Sequence, residues 1–579
     1  MVKRLIGGGL AAAIGLLGLS VPAALAQPAR LARPAAVLPG LHVMNLHAAY
    51  ERALPTAKSG KPSGIVYALG HAPKAAHGAG TTSASGATVA SGCSEPNCNL
   101  VYHGGPVQHD PKIYLLLWGP TWQTSASEQA TAAYLDSFLK GLGAQPQDNW
   151  STITAQYTDS TGFPGIHGSE YMGTFYDTSI PPTGVTPTKL GAEADAFAKT
   201  HHLTGDVNAQ IVIATQSGTC PSGFGSGGTC PSGGQYCAWH TNSVNTGVTF
   251  TNLPYLLDAG SSCGENFVNS GSQGLYDGFS IVEGHEYAET ITDPVPPVTV
   301  NNVTTGGGWI DTADKVSGGE IGDKCAWLNS GTGAAADVTL STGTFAMQSL
   351  WNNAAGACTM SPTTDTLTVT SPGSQTMFAG NRVYLPVRAA SSTRAKLEYY
   401  AAGLPGGLSI NAATGLITGA PRTTGTGSAT ITADDTTGAV RAATFTWTVQ
   451  PAPPKFRIKG YRSECVTDYR YLASPGTRVV INSCDTLLRE KWIVGAKARS
   501  LQINGLCLTD PRWGRWGTKL VLEPCTGFTN QQWTLKANGE YTIAFHGLCM
   551  TDPRWSTKAG TQLILQSCRD WKNQRWTKA

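Results

Sequence analysis

The C-terminal part of the chain repeats itself three times. Cys465 and Cys484, Cys507 and Cys525, and Cys549 and Cys568 form pairs of matching spacing, each closely followed by a tryptophan: Trp492, Trp533 and Trp576. The second and third copies read Cys507-Leu-Thr-Asp-Pro-Arg-Trp513 and Cys549-Met-Thr-Asp-Pro-Arg-Trp555, and end in Asn530-Gln-Gln-Trp533 and Asn573-Gln-Arg-Trp576. A unit this short cannot bury an apolar face alone, so three copies must close on one another, with the tryptophans filling a shared core. Residues 455–579 are therefore expected to be one closed body of three units.

With its repeated Gln-x-Trp signature, this segment resembles the ricin B-type lectins, which implies an all-β trefoil and carbohydrate as partner. In that family an Asp soon after the first Cys of a repeat and an Asn just before Gln-x-Trp bind vicinal sugar hydroxyls beside an aromatic platform. The resemblance thus assigns carbohydrate binding to Asp510 with Asn530 and to Asp552 with Asn573. In the first copy Asp468 is present, but Arg489-Glu-Lys-Trp492 replaces Asn-Gln-x-Trp, so two sites are expected rather than three. The family's aromatic before the second Cys is Glu523 or Gln566 here, which leaves stacking to Trp513 and Trp555.

At 579 residues the chain is too long for one hydrophobic core, and about three or four domains are expected. Lys3 and Arg4, an apolar run from Leu5 to Val21, and Ala24-Leu25-Ala26 read as a signal peptide over 1–26, hence a secreted protein. Fourteen cysteines, an even number, then point to disulfides rather than thiol chemistry. No later stretch has the apolar length of a membrane span. A net charge of +3, with 13% of residues charged, argues against a nucleic-acid partner.

Residues 27–94, rich in Ala, Pro, Gly and Ser, read as a spacer or propeptide. An N-terminal domain of α/β or α+β class is expected over 95–361. Lys112-Ile-Tyr-Leu-Leu-Leu-Trp118 has the pattern of a strand buried on both faces. A helix follows, announced by the capping box Ser125-x-x-Glu128 and ending at Gly141; a second helix (191–203) leads into the buried strand 209–214. Over 362–450 the pattern changes to short Thr/Val strands containing Gly403-Leu-Pro-Gly-Gly-Leu and Gly415-Leu-Ile-Thr-Gly-Ala-Pro421. This resembles immunoglobulin-like modules of bacterial exported proteins and implies a small all-β sandwich that serves as a spacer. Pro451-Ala-Pro-Pro454 is a stiff linker to the trefoil.

The chemistry-bearing motif is His285-Glu-Tyr-Ala-Glu289, on a short helix expected to begin at a second capping box, Ser280-x-x-Glu283, and to stop before Pro294. On a helix, positions i and i+4 share a face, so His285 and Glu289 can hold one ion while Glu286 lies beside it as general base. That is the logic of H-E-x-x-H zinc hydrolases with a carboxylate as second ligand. Asp311, Glu320 and Asp323 are candidates for the third ligand, with Cys325 able to pin their loop by a disulfide. Together with Cys237-Ala-Trp-His240, these motifs resemble exported proteins related to the exordium, or phosphate-induced, family, which brings His240 forward as a further ligand candidate behind His285. The resemblance covers about 101–358 and supplies a common fold but no activity.

These residues lead to a multidomain, carbohydrate-binding protein with a zinc-dependent, peptidase-like hydrolase domain. The rival is a non-enzymatic glycan-binding adhesin or wall-associated protein, in which the acidic residues are merely a solvated helix face. A metal-free glycoside hydrolase would need two carboxylates about 5 to 10 Å apart.

Overall fold

The computed structural model describes residues 43–44, 63–69 and 99–579, except 169, 225–229, 231–234, 296–297, 301–302, 306, 315–318, 363–365, 473, 485–489 and 497–498. The expected signal peptide, most of the spacer, Cys93, Cys98 and Arg489 lie outside the described residues. The fold is multidomain and mostly β, with an immunoglobulin-like module and a β-trefoil after an N-terminal body of helices and strands.

The N-terminal body is built on one seven-stranded sheet. Its strands are β1 (Val43–Met44), β2 (Ser63–Tyr67), β3 (Lys112–Trp118), β4 (Tyr171–Asp177), β5 (Ala209–Thr215), β6 (Tyr236–Asn242) and β7 (Thr249–Leu253), in the order β1-β4-β3-β5-β7-β6-β2. From β1 to β7 the neighbours run parallel, whereas β6 and β2 add an antiparallel edge. Ile113, Leu115, Leu116 and Leu117 of β3 and all of β5 are buried, the signature of strands covered on both faces. The segment expected as a spacer thus supplies a strand, with Ser63 opposite His240 and Val66 buried in the core.

Helix α1 (Ala126–Gly141) follows the predicted capping signal: the Ser125 hydroxyl accepts from the Glu128 N–H at 3.5 Å. Helix α2 (Pro187–Thr200) precedes β5, as the periodicity suggested. Helix α3 (Asp277–Thr292) differs from expectation. It begins three residues before Ser280, whose hydroxyl bonds the Ala346 carbonyl at 2.6 Å inside the helix, and all 16 of its residues are buried. Tertiary packing, against β6 and the strand Gly343–Met347, sets the start of this helix in place of a local cap. For the same reason Glu283, Glu286 and Glu289 are not a solvated face.

The immunoglobulin-like module packs a four-stranded sheet and a three-stranded sheet around Val387, Ile417, Ala429, Ile431 and Phe445. In the trefoil, Trp492, Trp533 and Trp576 are all buried in a single core. Their indole N–H groups donate to the carbonyls of Val466 (2.8 Å), Leu508 (2.8 Å) and Met550 (3.0 Å), so one bond recurs in each repeat. Disulfides join Cys465 to Cys484, Cys507 to Cys525 and Cys549 to Cys568. The N-terminal body carries Cys220–Cys230, Cys237–Cys263 and Cys325–Cys358.

Candidate functional site

Helix α3 turns His285 and Glu289 to one side, with Nε2 and Oε1 2.9 Å apart. The loop after Gly319, pinned by Cys325–Cys358, carries Asp323 to the same point, its Oδ1 3.5 Å from His285 Nε2. Donor atoms of His285, Glu289 and Asp323 all lie within 4.8 Å of one another, and all three residues are buried. Glu289 Oε1 accepts the backbone N–H groups of Gly322 (3.2 Å) and Asp323 (2.9 Å), which fixes its carboxylate.

The His285 ring is set from its other side. Nδ1 lies 3.2 Å from Gln348 Oε1, and the same amide donates through Nε2 to the Gly322 carbonyl at 2.8 Å. An amide oxygen only accepts, so Nδ1 carries the proton and Nε2 is turned to the carboxylates. Gly322 is required by space: a Cβ there would stand 2.7 Å from His285 Cγ.

A second group shares Glu289. Strand β6, tied by Cys237–Cys263, presents His240, and donor atoms of His240, Glu289 and Glu320 again lie within 4.8 Å of one another. His240 Nδ1 is 3.0 Å from Glu286 Oε2 and 3.7 Å from Glu289 Oε2, while Nε2 is 3.3 Å from the Asp293 carbonyl and 3.6 Å from Glu320 Oε2. Asp311 lies elsewhere: its carboxylate holds the Lys324 ammonium at 2.7 Å. Of the sequence candidates, therefore, Glu320 and Asp323 both reach the cluster but on different sides of Glu289, and Glu286 lies against His240.

The electrostatics are those of a buried, negatively charged pocket. Burial opposes charge on His285, but Glu289, Asp323 and Glu286 outweigh it and raise its pKa well above the ordinary value. Burial raises Glu289, yet His285 and His240 reverse the effect and hold it low. Burial and the Glu289 charge push Asp323 up to about 7, and burial pushes Asp293 up to about 8. Burial drives Glu286 well above the carboxylate range despite the pull of His285. Among the described residues, the carboxylates of Glu286, Glu289, Glu320 and Asp323 gather about two imidazoles, an excess that a cation would offset.

Chain order could not show that His240 closes the second group, because β6 and α3 are brought together only by the sheet. Gln348 and Asp293 gave no sequence signal, since neither belongs to a ligand motif.

In the trefoil, the second and third repeats share a frame. The Asn530 amide donates to the Asp510 carbonyl at 3.0 Å and the Asn573 amide to the Asp552 carbonyl at 2.8 Å. Their carboxylates differ. Asp510 accepts from the N–H groups of Arg512 (2.9 Å) and Gly514, folding its own loop. Among the described residues, no group is aligned to close a hydrogen bond with either Asp552 oxygen or with Asn573 Oδ1, the Ser556 N–H making only a weak approach to Asp552. Burial and the Glu464 charge push Asp552 up to about 7, with the Ser556 N–H as the main opposing influence. Trp555 is 43% exposed, beside Trp571 (centroids 6.4 Å apart) and Tyr461 (5.7 Å). Trp513, 46% exposed, stands beside Phe528 and Phe545. In the first repeat Asp468 is engaged by the Asn504 amide at 3.1 Å.

Residues 454–576 match the family of the ricin-type beta-trefoil lectin domain, and residues 359–450 match the family described as "Putative Ig domain". The first match supports carbohydrate binding by the C-terminal domain. Among solved structures, the chain is similar to the designed threefold-symmetric protein ThreeFoil (21% identity, 21% of this chain and 96% of that one, TM-score 0.20). It is also similar to the agglutinin from Abrus precatorius (21% identity, 22% and 48% covered, TM-score 0.20). A third is the earthworm R-type lectin C-half in complex with GalNAc (10% identity, 22% and 98% covered, TM-score 0.20). The chain spans about half the length of the agglutinin. No curated protein matches the sequence. Among the described residues, no helix is long and apolar enough to cross a membrane.

Proposed function

We propose that the N-terminal domain is a zinc-dependent hydrolase of peptidase type and that the trefoil delivers it to carbohydrate-bearing surfaces outside the cell. The observation that carries this reading is the convergence of His285, Glu289 and Asp323, all buried, with Glu286 one residue along the same helix. Three protein ligands, one of them imidazole, are the complement of a catalytic zinc, which when bound polarises a carbonyl and acidifies water. Gln348 orients His285 for that role, and the backbone N–H groups of Gly322 and Asp323 orient Glu289. Glu286 has one oxygen against His240 Nδ1 and the other, Oε1, without a hydrogen bond among the described residues, which suits it to take a proton. The resemblance over 101–358 contributes no activity, so the reaction class rests on these side chains alone.

The cluster is enclosed: His240, His285, Glu286 and Glu289 are each 0% exposed. Substrate therefore reaches it only when its cover parts, whereas an ion needs a far smaller opening. The test is hydrolysis of peptide and glycoprotein substrates by the purified chain and by Glu286→Gln. Turnover that disappears on substitution or chelation, with zinc retained by the variant, supports the reading. Zinc retention with no turnover on any substrate leaves an ion-stabilised binding domain instead.

Carbohydrate binding is assigned to the third repeat, through Asp552, Asn573 and Trp555. The support is the set of Asp552 and Asn573 oxygens that close no hydrogen bond among the described residues, beside exposed aromatic rings. Tethering there would raise the concentration of the hydrolase domain at a glycan surface without altering its centre. Titration of Asp552→Ala against simple sugars and glycans tests it, with the unchanged chain as reference.

A further inference from the structure

Deepening the metal reading above, we infer that the centre holds two divalent cations bridged by Glu289. The bridge is visible in the two oxygens of that carboxylate. Oε1 faces His285 Nε2 at 2.9 Å and, with Asp323, belongs to the first group. Oε2 lies 3.7 Å from His240 Nδ1, Glu320 Oε2 lies 3.6 Å from His240 Nε2, and donor atoms of His240, Glu289 and Glu320 form the second group. Each group supplies one imidazole, one terminal carboxylate and one oxygen of Glu289, a matched pair of three-donor sets. Paired divalent ions in hydrolytic enzymes stand about 3.5–4 Å apart, within the span of one bridging carboxylate.

Independent observations point to a ligand here. Glu289 is fully buried, and its Oε2 makes no hydrogen bond among the described residues; the same holds for Glu286 Oε1. His285 Nε2 lies 2.9 Å from Glu289 Oε1 yet is not aligned for a hydrogen bond to any of the described residues, as expected when two donors are aimed at a common third atom. On the second side, the Asp293 carbonyl, 3.3 Å from His240 Nε2, adds an oxygen to the donor set. His240 Nδ1 meets Glu286 Oε2 at 3.0 Å, the carboxylate–histidine contact that orients a ligating ring. His240 is then a ligand in its own right, and Glu286 is held by the second ion's ligand.

The experiment is elemental analysis of the full-length, oxidised chain after loading with zinc and removal of unbound metal. The unchanged chain, His240→Ala, Glu320→Gln and His285→Ala are compared, each checked for native far-ultraviolet circular dichroism. The inference predicts two zinc ions per chain, falling to one in His240→Ala and Glu320→Gln and to one in His285→Ala. One ion in the unchanged chain, kept in His240→Ala and lost in His285→Ala, overturns the second cation and leaves the hydrolase centre standing. One ion lost in both histidine variants overturns it too, as a single shared ion. No ion in the unchanged chain overturns both. Should the variants not fold, the unchanged chain loaded with manganese decides the matter: an exchange-coupled electron paramagnetic resonance spectrum supports the pair, and isolated-ion signals overturn it.

Discussion

The two candidate sites of this protein are assembled in opposite ways. The cluster around Glu289 draws His240 from a strand, His285, Glu286 and Glu289 from a helix, and Glu320 and Asp323 from a disulfide-pinned loop, all buried. The third trefoil repeat holds Asp552, Trp555 and Asn573 within one short unit whose aromatic ring stays exposed. In the first region, charges sit in a medium that magnifies every unmatched one; in the second, part of the site is wet and each contact counts for less. Carboxylates are buried in both regions, so what separates them is coupling: those around Glu289 answer to one another and to two imidazoles, whereas Asp552 lies beside an exposed tryptophan ring.

The largest effect should follow from Glu289→Ala. Removing the shared carboxylate takes the counter-charge from two buried imidazoles and the acceptor from the Gly322 and Asp323 N–H groups, a loss of about 3–5 kcal/mol of stability in unfolding experiments, with zinc binding abolished. The corresponding loss at the trefoil, Asp552→Ala, should leave folding nearly unchanged and weaken glycan binding about tenfold to a hundredfold in calorimetric titration, equivalent to ~1–3 kcal/mol. If the two substitutions prove alike in stability, the contrast fails.

Next is Gly322→Ala. Its Cβ would stand 2.7 Å from His285 Cγ, so either the ring or the loop must move, at about 1–3 kcal/mol, and zinc affinity should fall at least tenfold. Within the trefoil, Asp510→Ala sharpens the comparison between repeats. Because that carboxylate ties down its own loop through Arg512 and Gly514, the substitution should lower trefoil stability by about 1–2 kcal/mol and change glycan affinity little. An affinity loss equal to that of Asp552→Ala would make the second repeat a site as well.

The smallest expected effect is the pH dependence of glycan binding. Asp552 is pushed up to about 7, so its carboxylate, the better acceptor for sugar hydroxyls, is present above that pH and lost as pH falls through it. Affinity should therefore rise severalfold between pH 5 and pH 8, and the dependence should vanish in Asp552→Asn.

Legibility in the sequence follows the same divide. The trefoil could be read from its own periodicity, because each repeat places its cysteines, Asp and Trp by local spacing, and the core tryptophans sit where that spacing demands. The strands Lys112–Trp118 and Ala209–Thr215 were readable because burial on both faces leaves an unbroken apolar run. What could not be read is whatever tertiary packing decides. Ser280 looks like a cap yet lies inside a helix, and the strand Ser63–Tyr67 is drawn into the sheet from a segment whose composition suggested a spacer. His285 and Glu289 were legible as an i, i+4 pair. That Glu320 and Asp323 flank Glu289 on different sides, and that His240 rather than Asp311 joins them, depends on how β6 and a loop meet α3.

Everything proposed for the N-terminal domain depends on the His285–Glu289–Asp323 group holding a divalent cation. The most direct measurement is X-ray diffraction from crystals of the full-length chain equilibrated with zinc, with anomalous data collected on either side of the zinc absorption edge. A strong anomalous peak is expected about 2 Å from His285 Nε2 and from one oxygen each of Glu289 and Asp323. An ordered cluster with His285 hydrogen-bonded to those carboxylates and no anomalous density would contradict it.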